Sequence, residues 1–261
     1  VNDTAVFDAS DANFTIKGVL TVTAPNTNMS WIVGATGNNI TWTTAGTIST
    51  VNLYYSTDSG VSYPNTIATA LSNVGSYNWN PIPDSIGTTR RVKVESVADS
   101  TVFDVSDVDF TIKGSLTLTA PNGTEVWLVG DTGRNITWTK MVTLTGNVKL
   151  LYSTDGGTTF PDPANVITST VAVTALTHNW NPIPDVIDND LRVRIVYLND
   201  TSVTDDSNAN FEIKGSLTIT APDGGEVWEQ SGPAQNIAWT KTGTLGNVEL
   251  RYSTDSGSTY P

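Results

Sequence analysis

Carboxylates are the first residues here whose type and spacing could do chemistry. Asp3, Asp8 and Asp11 lie in "NDTAVFDASD", Asp99, Asp104 and Asp107 in "DSTVFDVSD", and Asp200 and Asp205, with Asn208, in "NDTSVTDDSN". Calcium takes about six to eight oxygen ligands, and clustered Asp, Ser and carbonyl oxygens supply that kind of shell. These turns are therefore candidate calcium sites; the other reading is a solvated, Ser/Asp-capped bulge. Basic residues also recur as pairs, Arg91/Lys93 and Arg192/Arg194, spaced i, i+2 on one face of a strand. They suit an acidic neighbour or a glycan, or else cross-strand pairing on a solvated sheet. Catalysis finds no footing. The chain has no cysteine, and its one histidine, His178, aligns with Tyr77 in an internal repeat, so no Ser nucleophile has a base at a fixed position. No Gly-rich phosphate loop opens a helix.

The bulk composition narrows the class. With 26 acidic against 13 basic residues, the formal charge of the 261-residue chain is −13. Nucleic-acid binding relies on Lys and Arg neutralising phosphates, so this balance argues against it, and against anionic membranes. No apolar run reaches membrane-spanning length, so no membrane insertion is expected within the chain. Without cysteine there is neither a disulfide framework nor a thiolate zinc site. About a quarter of the residues are Ser or Thr, and no window sustains i, i+3, i+4, i+7 apolar spacing. Short strands and many turns follow, and the fold class is all-β.

Self-similarity sets the organisation. "TIKGVLTVTAP" from Thr15, "TIKGSLTLTAP" from Thr111 and "EIKGSLTITAP" from Glu212 align without gaps, stepping from Lys17 to Lys113 to Lys214. The second period is longer, and the extra residues fall near Met141–Gly146 and between Pro161 and Thr177, as loop insertions in a shared fold would. Each period carries about seven strand signals, in the second "SLTLTAP", "EVWLV", "NITWTK", "NVKLLYST", "VITSTV", "LTHNWNPI" and "RVRIVYL", before "NANFEIKG" closes it. That count and spacing predict tandem immunoglobulin/fibronectin-like β-sandwiches. The expected division is residues 1–18 as the terminal strand of a preceding repeat, 19–114 and 115–215 as whole repeats, and 216–261 as the first half of another. Joining the two ends of neighbouring chains would still leave a repeat without its "NWNPIPD" and "RVRIV" strands. A window from a longer repetitive polypeptide is the expected context.

Alternation gives the faces. Val51, Leu53, Tyr55 and their equivalents Val148, Leu150, Tyr152 and Val248, Leu250, Tyr252 form a fixed inward set. The outward positions vary, and Tyr54 and Leu151 among them are apolar, which marks this face for lateral self-association into filaments or bundles. All eight Trp fall in three slots: Trp31/Trp127/Trp228, Trp42/Trp138/Trp239 and Trp79/Trp180. They are read as core indoles or as an aromatic sugar-binding platform, and the alternation of Trp42 with Thr favours core.

"YSTDSGVSYP" from Tyr55, "YSTDGGTTFP" from Tyr152 and "YSTDSGSTYP" from Tyr252 resemble the Asp-box, a β-hairpin motif of sialidases and other β-propellers. A propeller blade takes about 40–50 residues, whereas these hairpins occur once per repeat of twice that length. The propeller glycosidase is excluded on spacing. The Asp is expected to bond its own turn, with Gly157 at positive φ and the terminal aromatic packed beneath. "PIPD" at Pro81–Asp84 and Pro182–Asp185 reads as a rigid corner.

Taken whole, "APNGTEVWLVGDTGRNITWT…NVKLLYSTDGGTTFP…NWNPIPD…RVRI…NFEIKG" resembles the Ser-Thr-rich, glycosylphosphatidylinositol-anchored family named from fungal cell-wall β-glucan assembly proteins. Similar repeats occur in bacterial and archaeal surface proteins. The resemblance implies an Ig-like fold and an extracellular or cell-surface setting, and it brings no catalytic residues. "NTNMSW" (Asn26–Trp31) departs from the usual Gly-Glu-Val there. The function expected is a non-catalytic structural component of a surface fibre or filament, an extended rod with nearly linkerless joints. The alternatives are a carbohydrate-binding or adhesive module with Tyr54 as a contact, or spacer repeats of an extracellular enzyme.

Overall fold

The computed structural model describes residues 5–141 and 143–261; Asp3 lies outside them. The chain divides after Gly114 into two units.

In the first unit, alternating Leu20, Val22 and Ile40, Trp42 put one face of β1 (Val19–Ala24) and β3 (Asn39–Ala45) into the core. With β6 (Ser76–Asn78) they form an antiparallel sheet in the order β1-β3-β6. The facing sheet runs β2 (Ser30–Ile32), β9 (Phe110–Lys113), β7 (Gly87–Ser96), β4 (Thr50–Ser56), β5 (Asn65–Ser72). The chain thus leaves the first sheet after β1 and enters the second at β2, which pairs parallel with β9. This is an Ig-like sandwich, each strand alternating between core and solvent. The predicted inward set holds in this repeat, with Val51 and Leu53 fully buried and Tyr55 packed on Trp79 at 5.1 Å between centroids, whereas its members Leu250 and Tyr252 near the C-terminus are exposed.

The second unit repeats this plan. β10 (Leu116–Ala120), β12 (Arg134–Lys140) and β15 (Thr177–Trp180) make one sheet. β11 (Val126–Leu128), β18 (Phe211–Lys214), β16 (Asp188–Tyr197), β13 (Asn147–Ser153) and β14 (Val166–Ala172) make the other. Indoles fill the volume between the sheets. Trp127 meets Trp180 edge-on at 6.1 Å and Phe211 at 5.1 Å, and the Trp138 indole N–H donates to the Val173 carbonyl at 3.0 Å. In both complete repeats all three Trp slots are core, so the sugar-platform reading fails there.

One strand per repeat was not foreseen. β8 (Phe103–Val105) and β17 (Thr204–Asp206) pair with the far ends of β7 and β16. They are the first halves of strands that β9 and β18 complete, interrupted at Ser106 and Ser207.

The outward face of the β4 and β13 strands also differs from expectation. Leu151 is only 6% exposed, and Tyr54 is half-buried. Leu151 stands across from Arg194 and Val166, and the Arg194 guanidinium lies 4.0 Å over the ring of Phe160, the aromatic that ends the Asp-box segment. The hairpin is folded back over this face, so its apolar residues are covered from within the repeat. In the first repeat Lys93 lies over Phe103 at 4.3 Å and near Tyr63 at 6.0 Å.

Outside the complete repeats the same sequences lie open. Phe14 is 77% exposed whereas its equivalent Phe110 in β9 is 1% exposed. Phe110 gains its cover from β2 and β7, strands that residues 5–18 do not have beside them. Residues 216–261 likewise form one antiparallel pair, β19 (Ser216–Ala221) with β20 (Ala238–Thr242), and Trp239 is exposed.

Candidate functional site

In the two complete repeats the acidic turn is built into the seam of the sandwich. β1 is an edge strand, and such an edge leaves N–H groups without a ladder partner. The Asp104 carboxylate accepts the Val22 N–H at 2.7 Å, and in the second repeat Asp205 accepts the Leu118 N–H at 2.7 Å. β8 and β17 thus lie between an edge strand of one sheet and the central strand of the other. Two residues on, buried Ser106 and Ser207 accept the Val92 and Val193 N–H groups, each at 3.0 Å. Ser207 also donates to the Pro121 carbonyl at 2.7 Å. Asp107 exchanges two hydrogen bonds with Asn26, its carboxylate accepting from the amide at 2.7 Å. Asn208 donates its N–H to Asn122 at 2.6 Å.

The remaining candidate ligands lie apart. Asp99 accepts from the Thr101 N–H and hydroxyl at 2.9 and 2.6 Å and pairs with Lys17 at 3.0 Å. Asp200 accepts from the Ser202 N–H and hydroxyl. Asp8 caps the Ala9 N–H at 3.0 Å, and Asp11 is exposed. Among the described residues no three His, Cys, Asp or Glu side chains converge as a metal shell.

The basic pairs are also engaged. Arg91 meets Asp109 at 2.6 Å, and Arg192 donates to Asn210 at 2.7 Å. Arg194 grips Asp206 through two parallel bonds of 2.7 and 2.8 Å, and Lys93 pairs with Glu95. His178 sits on β15 opposite Ile136, and burial pushes its pKa down.

The Asp-box segments are closed hydrogen-bond circuits. Asp155 Oδ1 accepts the Ser153 hydroxyl at 2.5 Å and the Thr159 N–H at 2.8 Å, while Oδ2 accepts the Thr159 hydroxyl at 2.6 Å. Ser153, buried at the end of β13, accepts the N–H groups of Asp155 and Gly157 in return. Asp58 with Ser56 and Ser62, and Asp255 with Ser253 and Thr259, repeat the circuit. Gly157 has the expected positive φ of 88°, and Gly156 before it is left-handed too, at 67°. The sequence pattern pointed to the Asp. It did not single out the Ser, which a strand-final serine two residues before the Asp could have signalled.

These circuits predict an acid limit to stability. The Ser and Thr hydroxyls, followed by the backbone N–H, hold Asp58 and Asp155 at about 2, below the ordinary value of 3.8. A carboxylate with a depressed folded-state pKa stabilises fully above its unfolded pKa, and that contribution is lost as pH falls through the folded value. The melting temperature should therefore drop between pH 4 and pH 2, and drop less steeply in Asp155→Asn. Equal slopes for wild type and variant in calorimetry would remove the Asp-box as the cause.

No family model and no curated protein matches this chain. Among solved structures it is similar to the N-terminal four Ig domains of Dscam1 isoform 6.9, at 11% identity and a TM-score of 0.33, over 77% of this chain and 47% of that one. The same four domains of isoform 9.44 match at 10% identity and a TM-score of 0.35, over 77% and 46%. The chain spans about half the length of these structures. Its Ig-like class rests on the strand order of its own repeats.

Proposed function

We propose that this chain is a non-catalytic structural segment of an extracellular or cell-surface fibre built from tandem Ig-like repeats. One observation carries the reading. The acidic turns, the basic pairs and the Asp-box segments recur at the same places in both complete repeats, and apart from Asp99, which pairs with Lys17, their groups bond mainly within that repeat's own turns and seams. A repeated sandwich with its polar side chains committed inward is suited to repetition itself. The surface location is supported by the family resemblance in the sequence. The adhesive alternative loses its aromatic platform in the complete repeats, because those indoles are buried.

The test is immunogold electron microscopy of the producing cells with an antibody raised against the second repeat. Gold spaced regularly along filaments is expected. Label spread over the envelope without filaments, or tracking a secreted enzyme, would replace the fibre with an adhesin or a spacer.

A further inference from the structure

The Pro-Ile-Pro-Asp corner ends in a carboxylate that its own repeat does not use. Asp185 Oδ1 accepts the Thr244 N–H at 2.9 Å, and Oδ2 accepts the Thr244 hydroxyl at 2.5 Å. Thr244 belongs to the following repeat, in the turn after β20. We propose that Asp185 and Thr244 form a staple that fixes the joint between the second repeat and the one that follows.

The corner is rigid enough for the task. Ile183 is buried in the core, its carbonyl accepts the Gly130 N–H at 2.9 Å, and its N–H donates to Asp131 at 3.0 Å. The carboxylate thus projects from a loop anchored on both sides of its plug. The incoming turn fits closely. At Gly243, whose φ is +87°, a Cβ would stand 3.0 Å from Ile187 and 3.1 Å from Val129. A side chain there would be strained in its backbone and tight against both neighbours, so glycine serves both the backbone conformation and the close approach. Thr244 presents an N–H and a hydroxyl side by side, matching the two oxygens of one carboxylate.

An independent contact marks the same kind of joint elsewhere. Lys17, from the segment leading into the first repeat, pairs with Asp99 at 3.0 Å and donates to Thr101, both on that repeat's β7–β8 turn. There the leading segment holds the following repeat; at Asp185 the following repeat holds the corner of the leading one. Each bond is exposed and weak alone. Their value lies in where they act, across a joint where β19 follows β18 through Gly215 alone. The sequence repeats the parts: Asp84 occupies the position of Asp185, and Thr47 and Thr143 that of Thr244. The staple is a property of the joint whether or not the chain forms a fibre.

The absence of cysteine makes the test direct. Spin labels are attached to the full chain through Ser169→Cys on β14 and Thr220→Cys on β19, both exposed and outside the staple. Their separation is measured by double electron–electron resonance. A narrow distribution is expected for the parent. Asp185→Ala and, separately, Thr244→Val should broaden it at least about twofold, as a joint released from its side-chain tether would. Thr244→Val leaves the second repeat untouched, and its melting temperature and near-ultraviolet circular dichroism check that Asp185→Ala remains folded. A broad distribution in the parent overturns the staple, as does an unchanged width in both variants.

Discussion

Replacing Trp138 with Ala should cost the second repeat about 3–5 kcal/mol, enough to lower its melting temperature by about 20 °C or unfold it at room temperature. The indole is 2% exposed between the two sheets, packed among the aliphatic residues of β10, β13 and β16. Its removal leaves a large cavity, and it strips the Val173 carbonyl of the indole N–H donor. Thermal unfolding of the variant followed by tryptophan fluorescence and circular dichroism measures the loss. Trp138→Phe, which keeps much of the volume and drops the N–H, should fall between. A fully stable Ala variant that had lost binding to a glycan array would reverse the assignment of these indoles to the core.

Replacing Asp205 with Ala should destabilise the same repeat by about 2 kcal/mol, because the Leu118 N–H on the sheet edge loses a charged acceptor in a half-buried seam. A change of about 10 °C in melting temperature is the corresponding readout for a domain this size. The same variant tests the calcium reading. If Asp205 acts as the edge cap, millimolar calcium and chelator should leave the wild-type transition in place, and the variant should be equally destabilised in both. A calcium-dependent rise in the wild type that vanishes in Asp205→Ala would restore the metal reading. Asp205→Asn, which can still accept from the N–H, should recover part of the loss in either solution.

Asp104 and Asp205 show why the acidic turns look like ligand sets. A run of Asp, Ser and Asn is what a calcium loop needs and also what a strand crossing between two sheets needs, since both require many oxygens aimed at nearby donors. Sequence spacing alone treats the two alike. The donors that Asp104 and Asp205 meet in the fold, the Val22 and Leu118 N–H groups, lie more than eighty residues away in the chain. Leu151 makes the same point for the faces. Alternation placed it correctly on the side of β13 opposite Val148 and Leu150, and from there it looked solvent-facing. The residues between β13 and β14 then fold over that side, with Arg194 and Phe160 as the cover.

The sequence by itself determined the repeat, the all-β class, the inward Val-Leu-Tyr set, the Trp slots and the closed Asp-box turn. All of these are written in short periods, or in bonds spanning a few residues, as in the Asp255 circuit, which forms where the strands around it are unpaired. Tertiary structure alone decided which carboxylates cap an edge strand, which outward residues are covered, and that the Asp of Pro-Ile-Pro-Asp reaches Thr244 of the next repeat. Those contacts join segments tens of residues apart, and their partners are single backbone or hydroxyl groups. Such partners impose no periodicity on the chain, so only the packing of the sheets brings them to light.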